Sequence, residues 1–262
     1  MKSKEYQKYL FKLKREKFLV ILSQILILIF LIVIWQLLAD LSLINTFITS
    51  SPKDIISTII NLFQTNNLFI HIWVTLYETI LSFLLGTILG IIIAIILWYN
   101  KFISKVLDPY LTIINSLPKV SLGPILIIWI GANIKSIIVM ALLISLIVTI
   151  ITVYNGFNST DQNKIKLLKS FKATKLQTLK YLILPSNYPT IISSLKINIS
   201  MSMIGVIMGE LLVSKQGIGY LIMYGSQVFN LDLVITGIVI LMIVSYLMYI
   251  IISKLEKILI KY

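Results

Sequence analysis

Cysteine is absent from the sequence, which removes disulfides, thiolate nucleophiles and cysteine-ligated metals together. Histidine occurs once, as His71, too few for a histidine zinc site or a hydrolytic triad with anything else this chain offers. No G-x-x-x-x-G-K-[ST] run occurs, so the chain carries no P-loop for ATP. Charge is scarce as well. Only 13% of residues are Asp, Glu, Lys or Arg, where a soluble domain carries about 25%. What fills the chain instead is hydrocarbon: 58% of its residues are hydrophobic and the mean hydropathy is +0.97. A chain so apolar belongs in a bilayer.

A helix needs about 20 apolar residues to cross the hydrocarbon. Residues 18–39 supply them without a charge. The stretch is too long for a signal-peptide core and no small-x-small cleavage site follows, so it reads as an uncleaved first transmembrane helix. Further spans are expected at 73–98, 109–130, 134–156, 187–213 and 231–253, six in all. Residues 40–72 are polar enough to form an extracytoplasmic segment, with a short amphipathic helix after "SSPKD". The fold class is therefore an all-α integral membrane protein, multi-pass.

The net charge of +13 would suggest nucleic acid if it formed one basic face on a folded domain. Instead the basic residues cluster between apolar spans, which argues against a nucleic-acid partner and for lipid surroundings. Residues 1–17 hold seven, Lys101 and Lys105 follow the second span, residues 164–180 hold six, and Lys254, Lys257 and Lys261 close the chain. The loops of the opposite side hold Lys53, Lys135 and Lys215 alone. Eighteen against three, alternating correctly from loop to loop, predicts an N-in, C-in orientation.

Several features sit inside the spans. Gly86 and Gly90, and again Gly205 and Gly209, place small residues four apart on one helix face. Packing within the subunit is the reading preferred to a dimer interface. The third span contains Pro109, Pro118 and Pro124, which implies either a broken helix beside a solute pathway or a simple kink. Lys119 follows Pro118 directly, and it either faces an anion or snorkels to the surface. Lys196 is likewise a pathway candidate or a cytoplasmic anchor. Glu210, at the outer end of the fifth span, would line the pathway, pair with a base, or sit among headgroups. Gly217 and Gly219 permit a tight turn just after it.

The basic segment "KIKLLKSFKATKLQTLKYLILP" (164–185) has helical periodicity. Leu167, Leu168 and Phe171 share one face, with Lys166 and Lys169 opposite. Leu176, Leu179 and Ile183 share another, displaced by roughly a quarter turn. Two short helices broken around 172–174 satisfy both sets, and Pro185 is expected to end the second, since the residue before a proline is pushed out of the α region. Such a segment either rests on anionic lipid or inserts an apolar knob into a cytoplasmic partner.

The run "DQNKIKLLKSFKATKLQTLKYLILPSNYPTIISSLKINIS" resembles the cytoplasmic EAA loop of ABC-importer permeases. "LLGTILGIIIAIILWY…LDPYLTIINSLPKVSLGPILIIWIG", "MGELLVSKQGIGYLI" and "VFNLDLVITGIVIL" resemble flanking parts of the branch that imports nitrate, sulfonates, taurine and vitamin precursors. The resemblance covers about residues 75–260 in order, and on it residues 73–262 form an ABC permease transmembrane domain with an EAA-like loop at 159–185 between spans 4 and 5. It implies a non-enzymatic permease subunit that forms the pathway for a small anionic or thiamine-precursor-like solute. The implied partners are a cytoplasmic ABC ATPase dimer, a second permease copy and an extracytoplasmic solute-binding protein. ATP and Mg would be bound by the ATPase, and no cofactor by this chain. Asp161, Lys166, Leu167, Leu168, Phe171, Lys172, Ala173, Leu184 and Pro185 are the residues it assigns to ATPase coupling.

Three departures stand out. Aligned on Leu184-Pro185, the family's glutamate falls on Lys166 and its glycine on Lys172, while Lys119 replaces a frequent proline. Either the partner has adapted to a more basic loop or coupling is weakened; the intact spans and flanking motifs favour adaptation. The alternative function is an ATP-independent secondary transporter or channel. An inverted repeat would mark such a carrier, and the sequence shows none convincingly.

Overall fold

The computed structural model describes residues 4–65 and 67–260, all of whose regular structure is helical. Helix α1 (Lys4–Asp40) contains both the basic N-terminal segment and the first span as one rod, about 55 Å long at 1.5 Å per residue. Residues 1–3 of the basic segment lie outside the described residues. No residue in the most apolar stretch of α1 is buried, so it presents its hydrocarbon surface outward along its length.

Two short helices follow. Helix α2 (Thr46–Thr49) is a single turn, begun by the Asn45 side chain accepting from the Phe47 N–H at 3.0 Å. Helix α3 (Pro52–Gln64) starts with Ser51 as N-cap and Pro52 in the first turn, where a missing N–H costs nothing. Its buried Ile55 and its half-buried Leu62 face inward, as expected of the amphipathic helix anticipated after "SSPKD". Lys53 N–H donates to Gln36 Oε1 at 3.0 Å and ties α3 to the end of α1.

Helix α4 (Asn67–Tyr99) is long and apolar enough to cross a membrane and starts six residues before the expected span. The third span is a broken helix rather than a simple kink, one of the two expectations for it. It is a bent pair, α5 (Lys101–Ser116) and α6 (Gly123–Ile130), joined by a 3₁₀ turn at Lys119–Leu122 and inclined by 92°. Leu117, held before Pro118, takes φ −64°, ψ 139°, the extended conformation that proline imposes on its predecessor. Pro109 lies inside α5 and is tolerated there, and Pro124 sits in the first turn of α6. The described residues thus hold five helices long and apolar enough to cross a membrane, and six spans if the bent pair counts as one.

Helix α7 (Ile134–Asn158) is the most buried of the long helices and lies between α4 and α10. Helix α8 (Gln162–Ser170) and the single-turn α9 (Lys175–Thr178) follow, separated near 171–174. Helix α10 (Leu184–Val213), α11 (Ile218–Gln227) and α12 (Leu231–Leu259) complete the chain.

Pro185 does not end a helix. Leu184 keeps φ −61°, ψ −49°, and the chain stays helical from Lys175 to Val213. The turn ahead of the proline, Leu179–Ile183, widens to a π-helix in which the Leu184 N–H reaches back to Leu179 O. This shift of register absorbs the donor that proline lacks, so the backbone passes through without a break.

Both small-residue pairs face α7. A Cβ added at Gly86 would meet Ser145 Oγ at 2.7 Å, and one at Gly90 would meet Thr149 Cγ2 at 2.6 Å. On the other side, Gly205 abuts Ala141, and a Cβ at Gly209 would lie 2.9 Å from Ile137 Cα. Paired glycines on α4 and α10 therefore let two helices close on a third, which holds the subunit where no hydrophobic drive separates protein from lipid.

Candidate functional site

The loop between α7 and α10 is built in three steps. Asp161 caps α8, its Oδ1 accepting from the Asn163 N–H at 2.8 Å. At the other end of α8, Lys172 takes φ 56°. The Ala173 N–H donates to Leu168 O at 3.0 Å, and the Lys172 N–H donates to Lys169 O at 2.9 Å. That pair of bonds around a left-handed residue is a Schellman termination, in which the left-handed position favours glycine. Lys172 occupies it here, which explains in physical terms why the resembled family shows glycine at this point. Thr174 and Gln177 then start α9 with a reciprocal capping box, at 3.2 and 2.7 Å.

Helix α8 has two distinct faces. Ile165 packs against a buried cluster of Ala94, Val153, Phe157, Leu179 and Ile183, and Leu168 and Ala173 are half-buried. Leu167 and Phe171, one turn apart, point away and are 56% and 74% exposed, with Lys166 exposed beside them. The outward ridge is thus Leu167 with Phe171, and Leu168 leans toward the core. Farther along, Leu184 packs against the same cluster and Pro185 is exposed. Asn187, which no sequence motif singles out, is buried and donates to Thr160 Oγ1 at 2.8 Å and Ile183 O at 2.9 Å. It binds the start of α10 to the end of α7, so α8 hangs from both helices.

The charged pathway candidates are placed differently from one another. Lys119 turns back across the bend, and its Nζ donates to Asn115 O at 2.8 Å, capping a carbonyl at the end of α5. Pro118 is exposed beside it. Lys196 forms an ion pair with Glu256 of α12, and Ser193 Oγ donates to the same carboxylate at 3.0 Å. Its charge is therefore engaged within the subunit.

Glu210 is buried at the opposite end, 1% exposed, in a cluster the sequence showed only in part. Thr75 Oγ1 donates to Glu210 Oε1 at 2.6 Å, and the Gly219 N–H donates to Oε2 at 2.6 Å. Thr75 Oγ1 also accepts from the Ile218 N–H at 2.8 Å, and His71 Nδ1 accepts from the Gly217 N–H at 3.0 Å. Three successive N–H groups at the start of α11 are thereby received by α4 and α10 side chains. Gly217, at φ 109°, and Gly219 have no Cβ because the Glu210 carboxylate occupies that space. His71, Thr75 and Glu78 stand at i, i+4 and i+7 on α4, a polar stripe in an apolar span that could have been found from spacing alone. Among the described residues no group of three acids, histidines or cysteines is arranged to hold a metal.

Comparison with known proteins agrees with this architecture. Residues 86–261 match the family model described as binding-protein-dependent transport system inner membrane component. A probable ABC transporter permease protein of Haemophilus influenzae is 33% identical over 229 residues, covering 87% of this chain and 93% of that one. A putative aliphatic sulfonates transport permease protein of Bacillus subtilis is 28% identical over 232 residues, 88% of this chain and 84% of that one. In fold, the chain is similar to one in the crystal structure of a bacterial ABC transporter involved in import of the acidic polysaccharide alginate. There the TM-score is 0.66 at 17% identity, over 97% of this chain and 100% of that one. With its all-helical membrane architecture, a family match over most of its length and a relative a third identical, the chain belongs to the binding-protein-dependent transport system inner membrane components, the multi-pass permease subunits of ABC importers in the cytoplasmic membrane.

Proposed function

We propose that two copies of this chain enclose a pathway for a small organic anion, and that the basic end of each docks an ATPase through the Leu167–Phe171 ridge. The observation that carries this reading is the ridge itself: two large apolar side chains, 56% and 74% exposed, on a helix whose other face is anchored. Burying such side chains in a partner's groove contributes roughly 1.5–3 kcal/mol each. Closure of an ATPase dimer, with ATP and Mg bound there, would pull on α8. The Ile165 packing and the Thr160–Asn187 bond would then carry the motion into α7 and α10.

The excess of basic residues at this end supports its placement in the cytoplasm. The glycine contacts of α4 and α10 on α7 fill the centre of the subunit, which supports a pathway between copies rather than through one. At the other end an extracytoplasmic binding protein would deliver the solute. An alkanesulfonate or a vitamin precursor fits the reading, and the aliphatic sulfonates permease among the relatives favours the former.

Leu167→Asp with Phe171→Asp is expected to abolish co-purification of the ATPase while the chain still inserts in the membrane. An undiminished complex would refute the docking ridge. Uptake of a labelled alkanesulfonate is expected to stop on ATP depletion; uptake that persists and follows the proton gradient would instead establish a secondary transporter.

A further inference from the structure

Behind α8, on the side away from the ridge, lies a cleft of about 510 Å³ between the ends of α4 and α7, the start of α5 and α9. Lys101, Lys105, Lys169 and Lys175 line it, and no Asp or Glu does. Among the described residues the one ion pair is Lys196 with Glu256, so no carboxylate there is paired with any of these four lysines. Four ammonium groups around one space repel each other, and an anion seated among them removes that repulsion.

The walls carry both polar and apolar groups. Leu97, Phe157 and Ile165 supply apolar surface, while Asn158, Gln162 and the hydrogen-bonded pair Ser104 and Tyr154 supply polar groups. Trp98 lines the cleft too, and Lys175 Nζ lies 5.2 Å from the centroid of the neighbouring Tyr99 ring. These aromatic residues stand where the apolar length of α4 ends, the level at which such rings meet headgroups. A basic pocket at that depth, lined by both polar and apolar side chains, matches a phosphate group with a hydrocarbon chain attached.

We propose that this cleft binds a phosphate-bearing anion, supplied by an anionic phospholipid of the surrounding membrane. Its occupant braces α8 from behind, because Ile165 and Lys169 line the cleft one turn apart while Leu167 and Phe171 face outward. An anionic headgroup would thereby set the stance of the helix that offers the ridge. The site rests on the membrane reading of α4 and α7, and it stands or falls independently of docking at the Leu167–Phe171 ridge.

The test uses the purified full chain in detergent, by native mass spectrometry with phosphatidylglycerol, phosphatidylcholine or inorganic phosphate. Lys101→Gln, Lys105→Gln, Lys169→Gln and Lys175→Gln are combined in one variant. A charge-matched control combines Lys12→Gln, Lys14→Gln, Lys17→Gln and Lys254→Gln. Wild type and control are expected to retain one phosphatidylglycerol per chain, and the cleft variant to bind it at least tenfold more weakly, with phosphatidylcholine retained by none. A rise in Tm with phosphatidylglycerol in wild type, absent from the less perturbing pair Lys101→Gln and Lys105→Gln, supports the same site without depending on the fourfold variant's folding. Inorganic phosphate that binds with the same lysine dependence and displaces the lipid would support the phosphate site and make the free anion its source. Equal retention, or equal loss, in the cleft and control variants would overturn the proposal. So would cross-linking of ATPase carboxylates to Lys101 or Lys175 with release of lipid, since the cleft would then be a protein interface.

Discussion

Thr75 on α4 donates to Glu210 on α10 at 2.6 Å, and the same hydroxyl accepts from the Ile218 N–H at 2.8 Å. One side chain thus links three helices at the end of the bundle opposite the basic loop. The consequence is a fixed turn at residues 214–219, held by a buried carboxylate where the helix N-terminus would otherwise leave its N–H groups without partners.

Thr75→Val preserves the shape of the side chain and removes both bonds. It should lower stability by about 2 kcal/mol, because a buried carboxylate oxygen and the Ile218 N–H each lose a partner. Thermal unfolding in detergent would register this as a lower Tm, and Thr75→Ser should restore most of it. A loss in Thr75→Ser with none in Thr75→Val would show that packing, not hydrogen bonding, is what Thr75 supplies.

Lys172→Gly should stabilise the loop. A left-handed conformation costs an L-residue roughly 1–2 kcal/mol, partly offset by the greater freedom glycine loses on folding. A net gain of about 1 kcal/mol corresponds to roughly fivefold slower amide exchange at the end of α8, read by hydrogen–deuterium exchange. Unchanged exchange at residue 173 would show that φ 56° is not held in solution.

The four packing glycines should not respond alike to alanine. At Gly86 the nearest obstacle is a serine hydroxyl, which can rotate away. At Gly209 it is the Ile137 Cα, so the helices themselves must separate. Gly209→Ala is therefore expected to cost about 1–3 kcal/mol, the range for overpacking, and Gly86→Ala less. Comparative Tm values of the two variants decide the ordering.

Exchange of the partners in the Lys196–Glu256 ion pair offers a test of its role. Lys196→Glu alone should weaken the α10–α12 contact through like charge, and adding Glu256→Lys should recover it. If Lys196 instead served a passing anion, solute uptake would stay low in the double variant while stability recovered.

Much of the architecture was legible in local pattern. The unbroken spans follow from long apolar runs with few charges, and the bend of the third follows from Pro118 and the conformation it forces on Leu117. The break between α8 and α9 was visible as a shift in helical phase. Other expectations failed for reasons that lie beyond any one residue. Pro185 looked like a terminator, yet the widened turn at Leu179–Ile183 carries the helix through it. Leu168 looked like part of the outward ridge, yet packing of the neighbouring Ile165 turns it inward and leaves Leu167 exposed.

The sequence by itself determined the membrane class, the approximate spans and the placement of basic residues, because each depends on composition or period within a short window. Only the tertiary structure decided which polar groups meet. Glu210 and Thr75 are separated by 135 positions, and nothing periodic connects them. Lys196 looked equally free for solute until α12 brought Glu256 beside it. In hydrocarbon a buried polar group must find its partner inside the protein, and which partner it finds is settled by how the helices pack.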